Sequence, residues 1–203
     1  MSRDFLHPDE PIDKRPGDLP HWSQEEVMQF VTFRLGDSIP AGKLRIWKDE
    51  RQVFLDAHPE PWEPEVEREY HHRFPDRLEE WMDLGSGSCL LGNEANRRLL
   101  EEILMHCQGD KVLHQASVIM PSHIHLLLKP LAPLEELVKA WKSFSARKIA
   151  GKSIWQANYR DTLIRDGLHF ANAVRYIRKN PVKARLRDSQ FTLWQSERAL
   201  LVK

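Results

Sequence analysis

The spacing of apolar residues changes period along the chain, and each change predicts an element. Gln29-Phe30-Val31-Thr32-Phe33-Arg34-Leu35 is β-branched and aromatic and ends at Gly36-Asp37-Ser38, which predicts a strand. Residues 41–57 carry helix-spaced apolar positions. Ser88-Cys89-Leu90-Leu91 reads as a short strand after a Gly-Ser turn. Asn93 suits the N-cap of a helix over 94–106 whose apolar stripe is Leu99, Leu100, Ile103 and Leu104. Gly109-Asp110 marks a turn, and Val112–Met120 and His123–Lys129 form two strands around Pro121-Ser122. Leu134–Ala150 reads as a helix with Ala140, Trp141 and Phe144 facing inward. A last helix, His169–Arg178, is expected to stop at Asn180-Pro181, because the residue before proline is pushed out of the helical region. This order favours an α+β sandwich, an antiparallel sheet of four to five strands with helices packed on it.

The flanks and one interior stretch break the pattern. Residues 1–20, rich in Pro, Asp and Lys, predict a flexible N-terminal arm, 21–187 a single domain, and 188–203 a C-terminal tail. Pro59, Pro61 and Pro64 open an acidic insertion over about 56–82 that ends in a helix near Arg77–Met82.

Length and composition narrow the class. A chain of 203 residues can bury a core without covalent help. Two cysteines, Cys89 and Cys107, do not make a disulfide framework and read as reduced thiols. No stretch reaches the roughly 20 apolar residues that span a bilayer. The first residues show no apolar run after their charges, so a secretory leader is not expected. The expected compartment is the cytoplasm, with no membrane partner.

Thirty basic residues balance thirty acidic ones, which argues against a nucleic-acid partner until the charges are placed. Residues 56–81 hold nine acids against three arginines, whereas 139–187 hold thirteen bases against Asp161 and Asp166. Trp141, Phe144, Trp155, Tyr159, Phe170 and Tyr176 interleave the basic stretch, a mixture that suits phosphate contact and base stacking on single strands. A solvated helix face with core aromatics accounts for it equally well.

His123-Ile124-His125 lies inside an apolar run. Strand side chains alternate, so both imidazoles point to one face, about 7 Å apart along the strand, and make half of a metal site. Imidazole suits Zn²⁺ or Mn²⁺, and Mg²⁺ accepts nitrogen when phosphate supplies other ligands. Two hydrogen-bonded histidines on a sheet are the simpler alternative. Asp161 is a third-ligand candidate by chemistry and His169 a weaker one. No Cys-x-x-Cys pair, phosphate loop or nucleophile elbow is present. A nucleophile near such an ion could be Tyr159, within the basic stretch; a phenol can attack phosphorus and hold it as phosphotyrosine. Tyr176 is the rival, but its place on an apolar helix stripe reads as core.

Met120-Pro121-Ser122-His123-Ile124-His125 resembles the Met-Pro-Asn-His-Val-His signature of single-tyrosine HUH transposases (the IS200-like Y1 superfamily). The closer resemblance is to the REP-associated tyrosine transposases. Further segments carry it in order: Leu19-Pro20-His21-Trp22, Phe30–Leu35 with Asp37-Ser38, Gly87–Leu91, Trp141–Phe144, Trp155-Gln156 with Tyr159, Asp161 and Leu163–Asp166, then Tyr176-Ile177 with Asn180–Ala184. The resemblance implies a ferredoxin-like fold, a metal pair at His123 and His125 with Mg²⁺ or Mn²⁺, and a catalytic Tyr159 on a helix facing the metal. It implies cleavage and rejoining of single-stranded DNA beside palindromic hairpins through a 5′-phosphotyrosine. Backbone contacts are expected from Arg34, Lys142, Arg147, Lys148, Lys152, Arg160, Arg165, Arg178, Lys179 and Lys183. The implied setting is a bacterial, nucleoid-associated monomer or homodimer. Two other readings stay open: a catalytically impaired hairpin-DNA-binding protein of the same fold, and a metal-dependent hydrolase of a small phosphate ester.

Overall fold

The computed structural model describes residues 4–15 and 21–203. Its strands are β1 (Asp13–Arg15), β2 (His21–Ser23), β3 (Gln29–Arg34), β4 (Val112–Ile119), β5 (His123–Pro130), β6 (Arg160–Leu163) and β7 (Thr192–Gln195). Its α-helices are α1 (Ala41–Ala57), α2 (Pro64–His71), α3 (Arg77–Asp83), α4 (Glu94–Met105), α5 (Leu134–Ala150), α6 (Gly167–Lys183) and α7 (Glu197–Leu200). Strands β6-β3-β5-β4-β7 form one antiparallel sheet, and β1 and β2 form a separate antiparallel pair. Elements β3, α4, β4, β5, α5 and β6 follow the β-α-β-β-α-β order of a ferredoxin-like domain. The expected α+β class therefore holds, with β7 added at one edge.

Alternation along β5 decides which layer each residue joins. Ile124, Leu126 and Leu128 join Val31, Phe33, Leu100, Leu104, Leu137 and Trp141 in the layer under α4 and α5. Leu127 joins Ala116, Val118, Phe170, Val174 and Ile177 in the layer under α6. Each fully buried side chain of this size contributes about 1.5–3 kcal/mol, so both faces of the sheet hold it in place.

Several expectations need correction. Residues 4–15 are not a loose arm: Leu6 N–H donates to Ile164, Asp4 accepts Met28 N–H at its carbonyl, and the Asp4 carboxylate pairs with Lys129 and Arg198. Leu19 and Pro20, with the rest of 16–20, lie outside the described residues. The tail is also part of the fold, because β7 pairs with β4 and Arg178 donates to Gln195, Ala199 and Val202. Ser88–Leu91 is no strand; Cys89 sits at φ 44° and opens a 3₁₀ turn at Leu90–Gly92. Helix α6 runs through Pro181 to Lys183, since a proline near the end of a helix forfeits only one backbone bond. Phe144 points outward, 55% exposed, and Ser145 and Ala146 take the inner positions of α5.

The insertion is larger than its acidic stretch. Trp47 and Phe54 of α1 pack against Phe74, with Tyr70 and Trp81 around them, instead of against the sheet. Trp47 Nε1 donates to the Phe74 carbonyl at 3.1 Å. Helices α1 to α3 thus form a side unit with its own aromatic core, placed in the first strand-to-helix crossover. Its return path is tight at Gly87, φ 85°, where an added Cβ would stand 2.4 Å from the Asp37 carbonyl oxygen. Gly87→Ala is expected to cost about 2–4 kcal/mol in equilibrium urea unfolding, through the clash and the positive φ together.

Candidate functional site

His123 and His125 lie side by side on β5, with ring centroids 4.9 Å apart. They face α6, in the layer opposite Ile124. Both are buried, at 1% and 0% exposure. The Nδ1 of His125 meets the Thr32 hydroxyl at 2.8 Å, and the Nδ1 of His123 meets Ser122 Oγ at 3.1 Å. Ser122 has one hydroxyl proton, and it goes to the Met82 carbonyl at 3.1 Å. Ser122 can therefore only accept from His123, which fixes the proton on Nδ1 and leaves a lone pair on Nε2. Both Nε2 atoms are buried and have no hydrogen-bond partner. Burial first, then Arg34 and Lys183, pushes His123 down to about 3. His125 lies well below the usual histidine range, through burial, then His123, Arg160 and Lys183. The pair is neutral near pH 7, with two imidazole nitrogens presented and their outer nitrogens held by hydroxyls, the usual second layer of a metal site.

Helix α6 supplies the facing side chains. The Tyr176 ring stands edge-on to His125 at 5.2 Å and to Phe30 at 5.5 Å. Its hydroxyl is buried, near the Glu79 carboxylate of α3 and the Asn180 amide, with no hydrogen bond of regular geometry. Burial, followed by the Glu79 charge, raises the phenol above its ordinary range. Asn180 lies one turn along the same face, 3% exposed, with its Oδ1 unpartnered. Among the described residues, no three of the His, Cys, Asp and Glu side chains stand close enough to hold an ion by themselves. The donors that fit one are the two Nε2 atoms and the Asn180 amide oxygen, a nitrogen–oxygen set acceptable to Mn²⁺ or Mg²⁺.

The sheet separates Tyr159 and Asp161 from this cluster. Arg160 pairs with Thr32, which pairs with His125, so Arg160 shares the histidine face and its neighbours point to the other side. Tyr159 lies in the loop before β6, not on a helix. It stacks on His21 at 4.1 Å, and Lys142 covers the ring at 5.8 Å. Asp161 Oδ1 is 2.5 Å from His21 Nδ1. The expected catalytic tyrosine and tentative third ligand are thus brought to each other and not to the histidines. His169 sits in the first turn of α6, with its Nδ1 accepting from Arg165 N–H at 3.3 Å.

The basic residues divide by use. Arg147, Lys148, Lys152, Arg160, Arg165, Lys179 and Lys183 are exposed, the last with its ammonium 3.5 Å from Asp83. Arg34 is buried, donates to Ser38 and the Leu35 carbonyl, and is lowered to about 10 by burial. Lys142 gives its ammonium to the carbonyls of 156, 157 and 158. Arg178 is spent on the C-terminal segment. In each of these three the charged group is engaged by acceptors of the protein itself.

Sequence reasoning did not single out Asn180, Asp83 or Glu79 as site residues. The pair Tyr176 and Asn180, four apart among apolar residues on one helix face, was the available signal for the first. Asp83, the last residue of α3, reaches His123 Nε2 at 3.8 Å and Lys183 Nζ at 3.5 Å.

No protein-family model and no curated protein matches the chain. Among solved structures the chain is similar to a REP-associated tyrosine transposase bound to a REP hairpin, at 13% identity and a TM-score of 0.43, covering 83% of this chain and 74% of that one. Among the described residues, no helix is long and apolar enough to cross a membrane.

Proposed function

We propose that the protein is a metal-dependent single-stranded DNA strand transferase, acting beside hairpins, with Tyr176 as its nucleophile. One observation carries the reading: a phenol, an amide oxygen and two neutral imidazole nitrogens, all buried and without regular partners, meet on one face of the sheet. A fold seldom leaves so many polar atoms unsatisfied together unless something binds there. The HUH-like sequence signature around His123 and His125 names the same two ligands.

His123, His125 and Asn180 would hold the divalent ion. When bound, the ion supplies charge stabilisation to the non-bridging oxygens of a phosphate. The protein's own groups do the rest. Glu79, beside the Tyr176 hydroxyl, is a carboxylate that can accept its proton. The phenolic oxygen forms a bond to phosphorus, the bond from phosphorus to the 3′ oxygen breaks, and that oxygen takes a proton from water. The products are a 5′-phosphotyrosine and a 3′-hydroxyl, and the reverse attack by a 3′-hydroxyl rejoins the strand. The exposed bases Arg160 and Lys183 lie toward this face and suit the phosphate backbone.

The test is a covalent trap. A labelled single-stranded oligonucleotide with a hairpin, incubated with Mn²⁺, is expected to give a protein–DNA adduct that mass spectrometry maps to Tyr176. An adduct on another residue, or salt-sensitive binding without any adduct across hairpin substrates, overturns the assignment. The second outcome favours the reading as a binding protein.

A further inference from the structure

The acidic excursion ends on the histidine pair. Ser122 Oγ donates to the carbonyl of Met82, so the end of α3 is fastened next to His123 by the same hydroxyl that sets the imidazole proton. The following residue, Asp83, has its side chain 11% exposed, with Oδ1 3.8 Å from His123 Nε2 and Oδ2 3.5 Å from Lys183 Nζ. A separation of 3.8 Å is too long for a hydrogen bond. Donors that share an ion at about 2.1 Å stand roughly 3–4.2 Å apart as their angle at the ion opens from 90° to 180°. The carboxylate and the unpartnered imidazole nitrogen are therefore spaced as two ligands of one ion, while the Lys183 ammonium occupies the carboxylate's other oxygen.

We infer that Asp83, which as placed does not complete a three-residue set with the two histidines, turns from Lys183 to become a carboxylate ligand delivered by the helical excursion to the ion at His123 and His125, so that Lys183 competes with the ion for it. The inference rests on the reading of the two histidines as metal ligands. It gives the excursion a part in metal affinity that its acidic, solvated surface does not suggest. It also gives Lys183 two settings: paired with Asp83, or released to face a phosphate once the carboxylate has turned to the ion. Carboxylate and ammonium then act as a pair of opposite sign around one position, so removing either one shifts affinity in opposite directions.

The experiment measures Mn²⁺ binding to the full chain without DNA, from the free-ion electron paramagnetic resonance signal. Asp83→Asn, nearly isosteric, is expected to weaken binding at least about tenfold. Lys183→Met is expected to tighten it at least about threefold, by removing a competitor and a like charge. Equal affinity of Asp83→Asn and wild type, with His123→Ala abolishing binding, overturns the role of Asp83 and keeps the histidine site. An unchanged or weakened Lys183→Met overturns the competition. Absence of Mn²⁺ binding by wild type at millimolar ion overturns both the inference and the reading under it. Thermal melts of each variant separate loss of a ligand from loss of fold.

Discussion

Tyr176→Phe is expected to abolish covalent DNA adducts, a loss of at least about 10³-fold in cleavage rate, whereas Tyr159→Phe keeps cleavage within about tenfold of wild type. The two variants remove the same atom from opposite faces of one sheet. Tyr176 stands against His125 at 5.2 Å, and Tyr159 stands against His21 at 4.1 Å. The Tyr176 hydroxyl has no regular partner to lose, so its removal leaves the helix packing intact and any effect reports on chemistry. Quenched reactions over a time course, resolved on denaturing gels, measure both rates. A Tyr159→Phe protein that fails while Tyr176→Phe cleaves normally would move the reaction to the other face. Burial and the Glu79 charge disfavour the Tyr176 phenolate.

The largest loss of stability is expected at Arg97. This α4 side chain is 2% exposed and donates to the carbonyls of Leu91 and Gly92, at 2.9 and 2.8 Å, and to Ser189 at 2.5 Å. It ties the turn after the excursion to the segment that leads into β7. Arg97→Met keeps much of the volume but removes three hydrogen bonds donated by a charged group, worth about 1.5–3 kcal/mol each before solvent replaces part of them, and leaves the buried Leu91 carbonyl without a donor. A cost of about 3–5 kcal/mol follows, which for a domain of this size lowers Tm by about 10 °C or more. Calorimetry measures it. A change under 2 °C would mean that water replaces the guanidinium at all three carbonyls.

Long periodic segments were legible, and short ones were not. Helix α5 keeps its apolar spacing over seventeen residues, and its two ends matched residue for residue. The excursion helix α1 was legible as a helix but not as a partner of Phe74, because its apolar stripe does not say which surface will cover it. Strands β6 and β7 have four residues each, and Arg160-Asp161-Thr162 carries almost no apolar signal; only pairing with β3 makes it a strand. The same short strand governed the site. Without β6 the alternation that sends Tyr159 and Asp161 away from the histidines could not be seen, and the basic stretch holds Tyr159 and Tyr176 alike, so it does not choose between them. Tyr176 reads as core because it lies on an apolar helix stripe; what distinguishes it is an unpartnered hydroxyl, which only the fold reveals. The histidines needed no such help, since a two-residue period inside a strand puts them together in any sheet.

That alternation has a consequence for how such a site persists. A slip of β5 by a single residue would exchange His123 and His125 with Ile124 and Leu126, forcing imidazoles into the apolar layer beneath α5 and aliphatic chains against Tyr176. Every misaligned sheet pays in both layers at once, and the aligned one gains in both. The chain therefore cannot be well folded with its histidines misplaced: selection for a stable domain also guards the geometry of the cleft, and neutral drift elsewhere in the sheet leaves it untouched.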